Sequence, residues 1–145
     1  MAVHDAAGSA KLFRDVLGAG FVSFGDNEEQ GFRFVQYRFP GGGKVELVTP
    51  IGEGFVSRFL DRRGEGIHHI TLTVTDLRSQ VDRMRAGGID PVMVDLEDPH
   101  WREAFIHPKN AHGVLIQLAE SLHSEDDASR HLRRVLPEAA RLGLA

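Results

Sequence analysis

The chain has 145 residues, a length that suits one compact domain or two small fused modules. Its net charge of -4 argues against a nucleic-acid-binding protein, which would carry a basic surface. No apolar run approaches the roughly 20 residues that cross a bilayer. The N-terminus does not resemble a signal peptide, and there is no cysteine. We therefore expect a cytoplasmic protein that binds neither nucleic acid nor membranes, and any metal must be held by His, Glu, Asp or Gln.

Apolar spacing and turn residues predict an alternation of helices and strands along the chain. The predicted elements of the first half are a helix over 4–18, strands over 20–23, 31–38 and 44–48, and a short helix over 55–60. The predicted elements of the second half are a strand over 68–74, a helix over 76–86, and strands over 91–94, 104–107 and 114–118. An amphipathic helical tail over 124–142 follows, which Pro137 should kink or split.

One translation aligns the two halves. An offset of 71 maps Asp5 onto Asp76 (76 − 5 = 71), so that the start of one predicted helix falls on the start of the other. The same offset maps strand residues onto strand residues: Phe34 onto Phe105, Val45 onto Ile116 and Leu47 onto Leu118. We interpret this as a duplicated module with the order strand, helix and three strands. The alternative is coincidence, since short apolar patterns recur by chance.

Strand alternation selects three potential ligands. Successive side chains of a strand point to opposite faces, and the apolar face should pack on the helices. His68, Ile70, Leu72 and Val74 form one such apolar face. His69 and Thr71 therefore point the other way, as do Glu46 in its strand and Gln117 in the last strand. Each residue alone would more often be structural or solvated. Together they predict a metal or polar substrate site.

The offset also predicts a missing residue. Glu46 maps onto Gln117, but His69 maps onto position −2 (69 − 71 = −2), upstream of Met1. We expect the first strand of the first module to be largely missing from this chain, with the natural start lying upstream. The chain as given should then bind metal weakly and self-associate through its first module, because an unpaired sheet edge invites pairing.

Several segments resemble one known family. They are Gly64-Glu65-Gly66-Ile67-His68-His69-Ile70, Ile106-His107-Pro108-Lys109, Gly113-Val114-Leu115-Ile116-Gln117-Leu118, Phe13-Arg14-Asp15-Val16-Leu17-Gly18 and Val45-Glu46-Leu47-Val48-Thr49-Pro50. Together they resemble the methylmalonyl-CoA epimerases of the vicinal oxygen chelate superfamily, which also contains glyoxalase I and the extradiol dioxygenases. The similarity covers about residues 1–120 and leaves the tail outside.

The resemblance implies an α+β fold in which two tandem βαβββ modules form a cupped mixed β-sheet. We expect the first module over 1–62, the second over 63–120 and a C-terminal helical extension over 121–145. The resemblance also implies a divalent metal ion (Co, Ni, Zn, Mn or Fe) bound by Glu46, His69 and Gln117. In the family, Gln117 is usually Glu, and Phe34 stands where some epimerases have a second acidic residue. The segment 97–102 replaces a glycine-rich stretch of the family.

The implied reaction is a metal-stabilised enolate formation with proton transfer, on a small carbonyl or thioester substrate such as an acyl-CoA. Glu46 is the expected base, because the amide of Gln117 cannot usefully accept a proton. The expected pocket residues are Phe34, Thr71, Phe105, His107 and Leu115. A homodimer is also expected. The alternatives are a metal-free small-molecule binding or resistance protein, a glyoxalase-like lyase and a non-haem iron dioxygenase.

Overall fold

The computed structural model describes all residues from Met1 to Ala145. The chain divides into two compact units. The first unit comprises Met1–Ile67 together with Asp127–Ala145, and the second unit comprises His68–Asp126. The C-terminal residues therefore belong to the unit that contains the N-terminus.

Helices and strands follow one another in the predicted order. The elements before residue 64 are α1 (Ala6–Lys11), a π-helical turn (Leu12–Val16), β1 (Gly20–Asn27), β2 (Phe32–Arg38), β3 (Lys44–Pro50) and α2 (Phe55–Arg63). The later elements are β4 (His69–Thr73), α3 (Leu77–Ala86), β5 (Val92–Asp95), β6 (Trp101–Ile106), a 3₁₀ turn (Pro108–Asn110), β7 (Leu115–Ser121) and α4 (Glu125–Arg141). None of these helices has the length and apolar character of a membrane span.

Each unit is built on one sheet. In the first unit the order is β1-β2-β3, all antiparallel, and Ala2 forms an isolated parallel bridge with Val48. In the second unit the order is β4-β7-β6-β5, and β4 runs parallel to β7. The first strand of the first module is thus reduced to a bridge, and the predicted α+β fold of two βαβββ-type modules is confirmed.

The repeat is visible in the backbone hydrogen bonds. The amide of Val3 donates to the carbonyl of Val48 at 3.0 Å, and the amide of Val74 donates to the carbonyl of Ala119 at 2.9 Å. Both residues of the second pair are offset by 71 from those of the first (74 − 3 = 71 and 119 − 48 = 71). The offset found in the sequence therefore describes the same parallel pairing in both units.

The spacing of four apolar residues predicts one buried face for the first helix, formed by Ala6, Ala10, Phe13 and Leu17. The structure keeps this face only in part. Asp5 caps the helix by accepting a hydrogen bond from the amide of Gly8, and Ala6 and Ala10 are buried. The helix then widens into the π-helical turn, which shifts the angular position of the residues that follow. Leu17, which the sequence places on the buried face, is consequently 50% exposed.

The core of the second unit lies between α3 and the inner strands of its sheet. Leu77 and Val81 of α3 pack on Ala104 of β6 and Leu118 of β7. The prediction that Ile70 and Leu72 also pack under a helix is wrong: they are 46% and 49% exposed. The reason is that α3 packs on β6 and β7, whereas these two residues lie on the edge strand β4.

The C-terminal tail is integrated into the first unit. Leu144 and Ala139 are buried in the core that contains Ala10 and Leu47. The hydroxyl of Tyr37 donates to the carbonyl of Leu144 at 2.6 Å. Pro137 lies inside α4 without ending it. The tail thus supplies apolar surface and hydrogen-bond acceptors that the sheet of the first unit covers.

Tyr37, the only tyrosine of the chain, offers a test of this packing. Burial raises its pKa to about 12 from the ordinary 10.0. Since the pKa is raised on folding, its stabilising contribution should be complete below pH 10 and lost as the pH rises through about 12. We expect the phenolate absorbance to titrate near pH 12 in the native protein and near pH 10 in denaturant. Native titration near pH 10 would contradict the described packing of the tail.

Candidate functional site

One face of the second unit carries the polar candidates. Ala104 and Leu118 are buried against α3, so the residues next to them in the strands face the other way. Gln117 pairs with Thr71 on one side and with Phe105 on the other. Gln117 therefore stands on an inner strand, with a polar neighbour towards β4 and an aromatic neighbour towards β5.

The amide of Gln117 is held at both ends. Its carbonyl oxygen Oε1 accepts a hydrogen bond from the Thr71 hydroxyl at 2.6 Å. Its nitrogen Nε2 donates to Oε2 of Glu103 at 2.7 Å. The carbonyl oxygen, which is the atom of an amide that can bind a metal, is thereby directed towards β4.

Glu103 belongs to this face, although the sequence did not predict it as a site residue. Its Oε2 atom also accepts from the indole N–H of Trp101 at 2.9 Å. The sequence prediction began this strand at Ala104, whereas β6 begins at Trp101. The available signal was parity: Glu103 lies two residues from Phe105 and must share its face if the strand extends that far.

His69 is half-buried at the start of β4 and contacts its neighbour in the chain. Nδ1 of His69 lies 3.0 Å from Nδ1 of His68, and the two rings are nearly perpendicular at 87°. One of these nitrogens must carry a proton and the other must accept it. When His69 is the donor, its Nε2 carries the ring lone pair that could bind a metal.

Glu46 lies in the first unit, on the central part of β3. It pairs with Gln36, whose Nε2 donates to Oε2 of Glu46 at 2.6 Å. The neighbouring Leu47 is fully buried on the opposite face of the strand. Desolvation, together with the guanidinium of Arg38, lowers the pKa of Lys44, while the charge of Glu46 opposes this shift. Glu46 is thus a half-buried carboxylate beside a cationic strand end.

The predicted pocket residues occupy different environments. Phe34 packs in the first unit with the cluster that contains Val56 and Leu60 of α2. In the second unit Thr71 is exposed, and Phe105 and Leu115 are half-buried. His107 is exposed and caps the 3₁₀ turn, since its Nδ1 accepts from the amide of Lys109 at 3.1 Å.

The side chains of the candidate residues suit a divalent metal only if the amide takes part. No group of three or more His, Asp or Glu side chains is placed to hold a metal ion. An imidazole nitrogen from His69, a carboxylate oxygen from Glu46 and an amide oxygen from Gln117 are nevertheless donors that Co, Ni, Zn, Mn and Fe accept. The hydrogen bond that Gln117 donates to Glu103 already directs the amide oxygen of Gln117 towards the strand of His69.

The chain is similar to known proteins in sequence and in structure. Residues 1–105 match the glyoxalase/bleomycin resistance protein/dioxygenase superfamily. Over 120 residues the chain is 33% identical to the mitochondrial methylmalonyl-CoA epimerase of Dictyostelium discoideum, covering 77% of this chain and 69% of that protein. The crystal structure of methylmalonyl-CoA epimerase from Mycobacterium tuberculosis superposes with a TM-score of 0.76 at 34% identity, covering 84% of each chain.

A further solved structure adds a ligand. It is a single-residue variant of the Streptomyces coelicolor methylmalonyl-CoA epimerase in complex with 2-nitronate-propionyl-CoA, with a TM-score of 0.73 and 28% identity, covering 84% of this chain and 93% of that one. Similarity in sequence and in structure thus leads to the same group of proteins. The chain belongs to the glyoxalase/bleomycin resistance protein/dioxygenase superfamily, and within it the chain is similar to the methylmalonyl-CoA epimerases.

Proposed function

We propose that the protein is a metal-dependent epimerase or isomerase that moves a proton next to the carbonyl group of a small acyl thioester, as a methylmalonyl-CoA epimerase does. The observation that carries the proposal is the polar face of the second unit, where the amide oxygen of Gln117 is directed towards the strand of His69. Because the chain that carries this polar face is similar to the epimerases, we favour this function over the other activities of the superfamily.

In this proposal Glu46, His69 and Gln117 hold the divalent ion. Such an ion, when bound, stabilises the negative charge that develops on a carbonyl oxygen during enolate formation. His69 contributes a neutral imidazole through Nε2, and Gln117 contributes its carbonyl oxygen. Because two of the three donors are neutral, Glu46 supplies the only negative charge of the set.

Glu46 is also the proposed proton acceptor. A carboxylate can take the proton from the carbon next to the thioester carbonyl, and a proton returned to the other side of that carbon gives the epimer. Gln36 donates a hydrogen bond to Oε2 of Glu46 and so restrains its rotation. Exchange of the substrate proton with solvent requires removal and return of a proton on one side of the carbon only, so it tests Glu46 separately from the complete epimerisation.

The substrate class is proposed from a relative. An acyl-CoA is favoured because the Streptomyces coelicolor epimerase is found with 2-nitronate-propionyl-CoA. We propose in addition that the protein is a cytoplasmic homodimer. A molar mass in solution of about twice the 16.0 kDa of one chain would support the dimer.

A metal-free small-molecule binding protein is the second candidate. It is favoured by the absence of a group of three His, Asp or Glu side chains suited to a metal. The half-buried side chains of Phe105 and Leu115 would then contact an apolar ligand. Metal affinity separates this candidate from the epimerase.

Metal binding can be measured by calorimetric titration with Zn²⁺ or Co²⁺. We expect one ion per chain. His69→Ala should weaken the affinity by more than about 100-fold, because the loss of a residue that only orients a metal ligand already costs up to about 100-fold. His123→Ala is the matched control, because His123 is an exposed imidazole of the same unit. Unchanged affinity in His69→Ala would place the ion elsewhere, and no binding by the unaltered chain would favour the metal-free candidate.

Proton removal can be measured by exchange of methylmalonyl-CoA with deuterated solvent, followed by mass spectrometry. Glu46→Gln should lower the exchange rate by about 10²–10⁴-fold, the usual contribution of a positioned acid–base group. The substitution keeps the size of the side chain and its contact with Gln36. Glu28→Gln, which removes an exposed carboxylate from the same unit, should exchange at the unaltered rate. A full rate in Glu46→Gln would mean that another group is the base.

A further inference from the structure

Glu103 is the one carboxylate that contacts Gln117 in the described hydrogen bonds. It lies on β6, where the residue opposite it in β7 is Ala119, and its side chain reaches Gln117 diagonally across the antiparallel pair. The 2.7 Å bond to Nε2 of Gln117 is charge-assisted when the carboxylate is ionised, which makes it stronger than a bond between neutral groups.

The two hydrogen bonds of the Gln117 amide differ in what they can enforce. A hydroxyl can donate or accept, so Thr71 would tolerate either orientation of the amide. An ionised carboxylate can only accept. If the amide were flipped, its carbonyl oxygen would face Oε2 of Glu103 and both atoms would lack a proton between them. Glu103 alone therefore makes one orientation unique.

Trp101 strengthens this constraint. Its indole N–H donates to the same Oε2 atom at 2.9 Å, and an indole nitrogen cannot accept in return. The carboxylate is thus held between two obligatory donors, Trp101 and Gln117. The carboxylate of Glu103 is therefore already in position to accept from Gln117 and does not need to rotate.

We propose that Glu103 is a positioning residue that keeps the carbonyl oxygen of Gln117 directed towards β4, where it can bind a metal ion or a polar group of the substrate. The inference deepens the proposed function, and its test by metal affinity rests on that function. It concerns an acidic residue outside the predicted ligand set, and it gives that residue a role through Gln117 rather than through the substrate.

The orientation can be tested in the metal-free protein. The side-chain NH₂ signals of Gln117 are identified in a nitrogen-labelled sample as the pair that disappears in Gln117→Glu. We expect this pair to shift in Glu103→Gln and to keep its position in Glu97→Gln, which removes an exposed carboxylate of the same unit. In Thr71→Val, where Glu103 still accepts from the amide, the two NH₂ proton signals of Gln117 should keep the pattern that they have in the unaltered chain.

Zinc affinity, measured by calorimetry, supplies the second readout. Glu103→Gln should weaken Zn²⁺ binding by about 10–100-fold, the usual cost of losing a residue that orients a ligand. In the Gln117→Glu background the effect should become smaller. A carboxylate at position 117 presents an oxygen in either orientation and has no orientation to fix, so Glu103→Gln should then change the affinity less. A structural or purely electrostatic role of Glu103 would weaken binding equally in both backgrounds.

The outcomes separate the two proposals. If the unaltered chain binds no zinc, the metal-dependent function fails, while the Gln117 signals still decide the role of Glu103. If Glu103→Gln leaves those signals where Glu97→Gln leaves them, the positioning role is overturned whatever the metal affinity. If Glu103→Gln does not fold, Thr71→Val decides: a changed pattern there means that Thr71, not Glu103, sets the orientation.

Discussion

The burial of two apolar side chains, Ala104 and Leu118, fixes the polar face of the second unit. Both lie under α3, and a one-residue shift that brought Glu103 or Gln117 there would place a polar side chain against the helix. Because strand residues alternate, this burial leaves Glu103 and Gln117 on the opposite face. The hydrogen bond between them is therefore a consequence of packing on the other side of the sheet.

On this face the negative charge and the candidate ligand atom belong to different residues. Gln117 is neutral and sits where its oxygen can be used, whereas the negative charge lies on Glu103, one strand away. A neutral amide ligand attracts a cation less strongly than a carboxylate ligand does. The carboxylate of Glu103, which is hydrogen-bonded to that amide, restores part of the negative potential. The charge of the candidate site therefore depends on residues beyond those that would touch the ion.

Much of this arrangement could be predicted from the sequence because it depends on periodicity. The 71-residue offset describes the parallel pairing in both units. Alternation along β7 places Gln117 on one face of the sheet and Leu118 on the other. Two features could not be predicted. Glu103 was missed because the acidic segment before it obscured the start of β6, which begins at Trp101. The exposure of Ile70 depends on which strands α3 covers, and apolar alternation in β4 carries no information about that choice.

The C-terminal helix lies beyond the residues that match the superfamily, and its contacts pack it into the first unit. Ala139 and Leu144 fill the core of the first unit. Nε2 of His131 lies 2.8 Å from the hydroxyl of Ser23, an arrangement that could suggest an activated serine. However, Nδ1 of His131 lies 3.2 Å from a guanidinium nitrogen of Arg134, and a guanidinium can only donate. A neutral imidazole that accepts at Nδ1 carries its proton on Nε2, and in that tautomer His131 donates to Ser23. The contact then joins α4 to β1 and leaves the serine proton in place.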